Sequence, residues 1–142
     1  MIKLIKDEEY IQLINVWDSA VRHTHDFLAE EDFQFYKSQL PLYFQCVTLY
    51  GFYNEDNLIL GFLGVSKNKV EMLFVHQAAH RKGVGKALLY FATRNLGIKE
   101  LDVNEQNCGA VDFYRAQGFE AIGRMEIDGS GKPYPLLCLR LK

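Results

Sequence analysis

The sequence predicts a mixed α+β fold, with elements in the order β-α-α-β-β-β-α-β-α-β-β. Three observations carry that expectation. The apolar period is helical before about residue 46 and strand-like from there to Val75. The stretch from Val75 to Leu101 is long enough to cross over between parallel strands, which takes a dozen or more residues. An antiparallel block comes first and one strand-helix-strand crossover follows it, the order of a mixed α+β domain.

Each element has its own signal. Ile2-Lys3-Leu4-Ile5 reads as a short strand. Residues 7–22 read as an amphipathic helix, because Tyr10, Leu13, Ile14, Trp17 and Val21 recur at helical spacing. Residues 30–40 read as a second helix. It opens in an acidic turn, Glu30, Glu31 and Asp32, that suits a helix N-terminus. Residues 46–53, 58–66 and 69–75 are strand-like runs. The turns between them, Asn54-Glu55-Asp56-Asn57 and Lys67-Asn68, hold residues that tolerate turn geometry, so the three runs form an antiparallel meander. Residues 83–96 form the next helix, with Val84, Leu88, Phe91 and Asn95 along one stripe. Residues 101–104 are a short strand. Residues 107–117 form a helix ended by Gly118, well placed to close it. Residues 119–127 and 135–141 are the last strands, joined across Asp128-Gly129-Ser130-Gly131.

Length and composition bound the function. The 142 residues fit one domain, 1–142, with no linker between elements and only three prolines, Pro41, Pro133 and Pro135. Hydrophobic residues at 49% and charged residues at 24% exclude a disordered chain and a collagen-like fibre. A net charge of -2 does not call for nucleic acid. Cys46, Cys108 and Cys138 are too few and too widely spaced for a disulfide framework or a metal pair, so no metal is expected. The start lacks a signal-peptide core, and no run approaches about 18 apolar residues, so no membrane partner is expected. A cytoplasmic monomer or homodimer is the expectation.

The chemistry begins at His80-Arg81-Lys82-Gly83-Val84-Gly85-Lys86, between a strand and a helix. Two glycines let backbone approach a ligand, and a helix start offers free N–H groups to an anion. His80, Arg81, Lys82 and Lys86 are cationic or can become so, in a chain that is acidic overall. A Walker A loop fails twice, because its first glycine falls at His80 and its hydroxyl at Ala87. A dinucleotide fingerprint fails at Leu88, which stands where the third glycine belongs. An ordinary strand-to-helix turn with a solvated basic face is the plain alternative.

A second cluster sits downstream: Asn107, Ala110, Phe113-Tyr114 and Gly118-Phe119. Together with the loop at 80–86 it resembles the paired signatures of the GCN5-related N-acetyltransferases (GNAT), [RQ]-x-x-G-x-[GA] and N-x-x-A-x-x-F-Y-x-x-x-G-F. That resemblance spans about residues 58–141. Thr24-His25-Asp26-Phe27-Leu28, residues 103–107 and residues 131–137 are similar to the bacterial YjaB-type branch of the family.

The resemblance implies a twisted mixed sheet of six to seven strands flanked by about four helices. It implies acetyl-CoA in a V-shaped split between strands 69–75 and 101–104. Pantetheine would pair with backbone near Leu73 and Val75, and the pyrophosphate would sit on amides of Arg81, Lys82, Gly83, Val84, Gly85 and Lys86. His80 stands where the family has Arg or Gln; a ring nitrogen can still hydrogen-bond, and pH then matters. Asn107 matches the family's cofactor-contacting asparagine and Tyr114 its usual general acid.

The implied reaction is direct acetyl transfer from the thioester to a primary amine, on a protein lysine or a small molecule. A phenol suits protonation of the departing thiolate. The Val75 amide matches a donor to the oxyanion. Glu71 is the candidate base, since alternation puts Lys69, Glu71, Leu73 and Val75 on one strand face. His25 is a second titratable candidate. His25, Phe27 and Tyr134 are the candidate acceptor-pocket residues. The alternative is a non-catalytic CoA-binding regulatory module on the same fold.

Overall fold

The computed structural model describes residues 1–142 and contains seven strands and four α-helices. The chain divides into two compact units, Met1–Ile98 and Lys99–Lys142. The element order agrees with the sequence expectation.

In the first unit, β1 (Ile2–Leu4), β2 (Thr48–Tyr53), β3 (Ile59–Val65) and β4 (Lys69–Val75) form an antiparallel array in that order. The meander has the register Tyr50 opposite Leu63 and Leu63 opposite Leu73. Period two then sends Phe62, Met72 and Phe74 to one face and Gly61, Leu73 and Val75 to the other. The first face carries α1 (Tyr10–Thr24) and α2 (Glu30–Gln45). Leu13, Trp17, Phe33, Phe44 and Phe62 form their shared core, with Phe44 and Phe62 edge to face at 5.9 Å. Each such side chain, fully buried, contributes about 1.5–3 kcal/mol. The start of α1 is fixed by Glu9, whose carboxylate accepts from the Lys6 N–H at 2.9 Å and from the Tyr53 hydroxyl at 2.8 Å.

The expected end of the second helix at residue 40 is wrong. The helix runs through Pro41 to Gln45. A helical proline forfeits one backbone hydrogen bond. Burial of Leu40 and Phe44, 2% and 1% exposed, outweighs that loss.

The opposite face carries α3 (Val84–Tyr90). A Cβ on Gly61 would come within 3.0 Å of both the Phe74 carbonyl oxygen and Val84 Cγ1, so glycine there lets the helix lie against the strand. After Tyr90 the helix continues as one π-turn, Phe91–Asn95, with Leu96 N–H bonded to Phe91 O at 3.2 Å. The expected stripe therefore breaks. Val84 and Leu88 are buried as predicted, but the stripe passes to Leu89 and Ala92, while Asn95 is exposed. Ala92 follows Leu88 at ordinary α spacing, and the π-turn, which holds one residue more than an α-turn, turns Asn95 off that face.

In the second unit, β7 (Leu136–Leu141) lies between β5 (Glu100–Asn104) and β6 (Phe119–Met125), antiparallel to both. The last helix, α4 (Cys108–Ala116), is closed by Gly118 at φ 99°, whose N–H bonds Arg115 O at 3.0 Å. No helix is long and apolar enough to cross a membrane.

Candidate active site

The segment after β4 is stitched down before it reaches the glycines. His76 N–H bonds Leu60 O at 2.8 Å, and His76 Nδ1 accepts from Ala78 N–H at 3.0 Å. Gln77 N–H donates to the Ser19 hydroxyl at 3.0 Å. The chain then turns through two left-handed residues, Arg81 at φ 65° and Gly83 at φ 82°. Arg81 is not glycine, and such a residue costs roughly 1–2 kcal/mol there.

Gly83 is the N-cap of α3, and no side chain caps it. The first helical bond is Ala87 N–H to Gly83 O at 3.0 Å, so the N–H groups of Val84, Gly85 and Lys86 have no helical acceptor. No atom lies within 4 Å of the place a Gly83 Cβ would take. His80, Arg81, Lys82 and Lys86 are exposed. None of Arg81, Lys82 and Lys86 is ion-paired. His80 stands edge to face with His23, ring centroids 5.6 Å apart. Open N–H groups, open space and unpaired cations make this turn chemically suited to a phosphate or diphosphate.

On β4 itself, Leu73 and Val75 are half-buried and share the face opposite the α1–α2 core. Glu71 is exposed. The ladder shifts there: Val65 pairs with Val70 and Gly64 with Met72, which leaves Glu71 without a cross-strand partner. The ladder keeps its register from Met72 to Val75, so the bulge interrupts the expected alternation on the Lys69 side of Glu71 and not between Glu71 and Leu73.

His25 caps the C-terminus of α1, its N–H bonded to Val21 O at 2.8 Å and its carbonyl accepting from Leu28 N–H at 3.1 Å. Its Nδ1 lies 2.7 Å from the Thr24 hydroxyl, and its ring packs on Phe27 at 5.2 Å. Burial pushes the imidazole down to about 4, against a weaker opposing pull from Asp26. His25 is therefore neutral at pH 7 and a weak base.

In the second unit, Asn107 is the N-cap of α4. Its Oδ1 accepts from Ala110 N–H at 3.3 Å, so what it offers a ligand is its NH2 group. Tyr114 is 8% exposed, between Phe113 at 5.4 Å and Phe119 at 6.0 Å. Burial pushes its hydroxyl above the ordinary phenol value, so it stays protonated at neutral pH. Tyr134 is also buried, its N–H bonded to Lys132 O at 2.8 Å.

One residue escaped the sequence reading. Asn104 Oδ1, at the end of β5, is buried without a hydrogen-bond partner. Such an atom costs about 1–3 kcal/mol unless a ligand or water meets it. Asn104 lies within the run 103–107 that marked the resemblance, but nothing in its spacing separates it from its neighbours.

Comparison with known proteins identifies the family and the fold. A family model described as an acetyltransferase (GNAT) domain matches residues 18–131. The peptidyl-lysine N-acetyltransferase YjaB of Escherichia coli K12 is 35% identical over 97% of this chain and 94% of its own length. YjaB of Salmonella typhimurium LT2 is also 35% identical, over 97% of this chain and 95% of that protein. The solution structure of apo YjaB from Escherichia coli superposes with a TM-score of 0.92 at 34% identity, covering 99% of this chain and 95% of the other. The PaiA N-acetyltransferase of Thermoplasma acidophilum, solved in complex with coenzyme A, shares the fold: TM-score 0.76 at 21% identity, covering 100% and 98% of the two chains.

Proposed function

Because the chain belongs to the acetyltransferase (GNAT) family, we propose that it moves the acetyl group of acetyl-CoA directly to a primary amine, with a protein lysine as the first acceptor to test. The observation that carries the cofactor half is the uncapped start of α3 at Gly83 with its unpaired cations. The donor set fits a diphosphate: three N–H groups without helical acceptors, open space at Gly83, and guanidinium and ammonium groups beside it. Leu73 and Val75 supply strand backbone for the pantetheine arm, and the Val75 amide is assigned to the oxyanion. Asn107 is assigned to cofactor contact through its NH2 group.

Tyr114 is assigned the acid role through its match to the family motif. Its burial supports the role in one respect, because the proton is present at every working pH. Desolvation raises phenol and thiolate alike, since each is charged only after losing its proton, so burial need not set the two against each other. The amine must reach the thioester deprotonated. Glu71, exposed at its bulge, is the base in this reading, directly or through water. His25 serves acceptor binding together with Phe27 and Tyr134; its depressed basicity argues against the base role. Residues 1–142 act as one catalytic domain in the cytoplasm.

The test is release of free CoA thiol from acetyl-CoA, against a panel of lysine peptides and small amines. Amine-dependent release is the expected result. Tight acetyl-CoA binding with no release for any amine would convert the assignment to a CoA-binding regulatory module.

A further inference from the structure

Thr24 ends α1 and is half-buried. Its hydroxyl has two neighbours at hydrogen-bond distance, Ala20 O at 2.8 Å and His25 Nδ1 at 2.7 Å. A hydroxyl carries one hydrogen. A carbonyl oxygen can only accept, so the Thr24 hydrogen goes to Ala20 O. The second contact is a hydrogen bond only if His25 donates Nδ1–H to Thr24 Oγ1. In neutral histidine a protonated Nδ1 leaves Nε2 as a bare acceptor, and the bond made by one nitrogen decides the state of the other.

The rest of His25 is equally committed. Its N–H and carbonyl are both bonded to the main chain, and its ring face meets Phe27. Nε2 is the one polar atom of the residue with no partner in the protein, and it is not sealed off.

We propose that Thr24 is a positioning residue, which holds His25 as the Nδ1–H tautomer and so presents Nε2 as a fixed hydrogen-bond acceptor for the N–H of the incoming primary amine. The proposal rests on the acetyl-transfer reading for the identity of the ligand. The neutral state of His25 at pH 7 supports it, because an imidazolium would repel an alkylammonium and have no lone pair to offer. No proton is transferred in this step; the imidazole orients the amine.

Long-range proton–nitrogen NMR of uniformly 15N-labelled protein reports the tautomer directly, with His25→Gln assigning the resonance among the four histidines. The expected wild-type pattern is Nδ1–H. Thr24→Ser retains it. Thr24→Val, which keeps the shape and removes the hydroxyl, releases His25 to the Nε2–H form. Titration with Nα-acetyl-lysine methylamide and with butylamine then shifts the His25 Nε2 resonance in wild type and Thr24→Ser but not in Thr24→Val. In turnover, Thr24→Val raises KM for the amine about five-fold, the worth of one hydrogen bond, with KM for acetyl-CoA unchanged and Thr24→Ser near wild type. An Nε2–H tautomer in the wild type, an unchanged tautomer in folded Thr24→Val, or an Nε2 resonance deaf to both amines overturns the proposal. Absence of acetyl transfer alongside the expected tautomer and amine shifts overturns the acetyl-transfer reading instead.

Discussion

The turn into α3 and the turn into α4 both lead out of a strand, and both leave the first helical N–H groups to be satisfied. At α4 the Asn107 side chain takes one of them, accepting from Ala110 N–H at 3.3 Å. At α3 the cap is Gly83, at φ 82°, which has no side chain to offer. The α3 turn is flanked by His80, Arg81, Lys82 and Lys86; the α4 turn has Glu105 and Asp112 nearby in sequence. The difference separates a helix start closed by its own chain from one left open. A helix that caps itself spends its N–H groups on its own chain, whereas a glycine cap leaves them open at a cost of only roughly a few tenths of a kcal/mol.

Four experiments break or sharpen that contrast. The largest effect is expected on the closed side, where the chemistry is assigned. Tyr114→Phe should lower kcat by about 10²–10⁴-fold while acetyl-CoA affinity by calorimetry stays within about two-fold. Unchanged turnover across several amines removes Tyr114 from the acid role. Next, Gly83→Asp should weaken acetyl-CoA binding by about a hundred-fold, through strain at positive φ and a carboxylate set against phosphate. Gly83→Asn, which tolerates positive φ, separates the two causes by keeping more of the affinity. Normal calorimetric binding by the Asp variant would sink the anion assignment.

A smaller effect is expected in the pH dependence of stability. The unfolded chain protonates His25 near 6.5, the folded chain only near 4. The proton thus favours the unfolded state, and stability falls as pH drops from about 6.5 toward 4. The loss should be on the order of 1–3 kcal/mol. Urea midpoints at pH 7 and 4.5 should show a shallower fall for His25→Gln than for wild type; equal falls exclude His25 as the source. Smallest of all, Asn107→Ala should cost about 1 kcal/mol of urea stability, the usual worth of an N-cap.

Local signals in the sequence located most elements. Lys69–Val75 is bounded as expected because Lys67-Asn68 marks the turn before it. Gly118 closes α4 as expected because few other residues take φ near 99° cheaply. The misreadings all involve distant partners. The helix through Pro41 is held by Phe44, whose ring meets Tyr10 at 5.1 Å and Phe62 at 5.9 Å, contacts that no local window contains. The π-turn at Phe91–Asn95 places Phe91 against Tyr50, at 4.9 Å. The bulge at Glu71 depends on how β3 pairs with β4. For the candidate site, motif spacing singled out the loop, Asn107 and Tyr114 as candidates. It could not carry the Thr24–His25 hydrogen bond or the orphaned Asn104 Oδ1, because both are facts about atoms rather than residue types.

Gly61 sits on β3, opposite Val75, and meets the very first residue of α3. It acts as a zero-thickness shim between strand and helix. A methyl group added there has to move Val84 or the Phe74 carbonyl, and Val84 directly follows the Gly83 cap. A buried strand position thus bears on the residue that follows the Gly83 cap. Gly61→Ala is a way to shift the start of α3 against its strand without changing any residue of the turn itself.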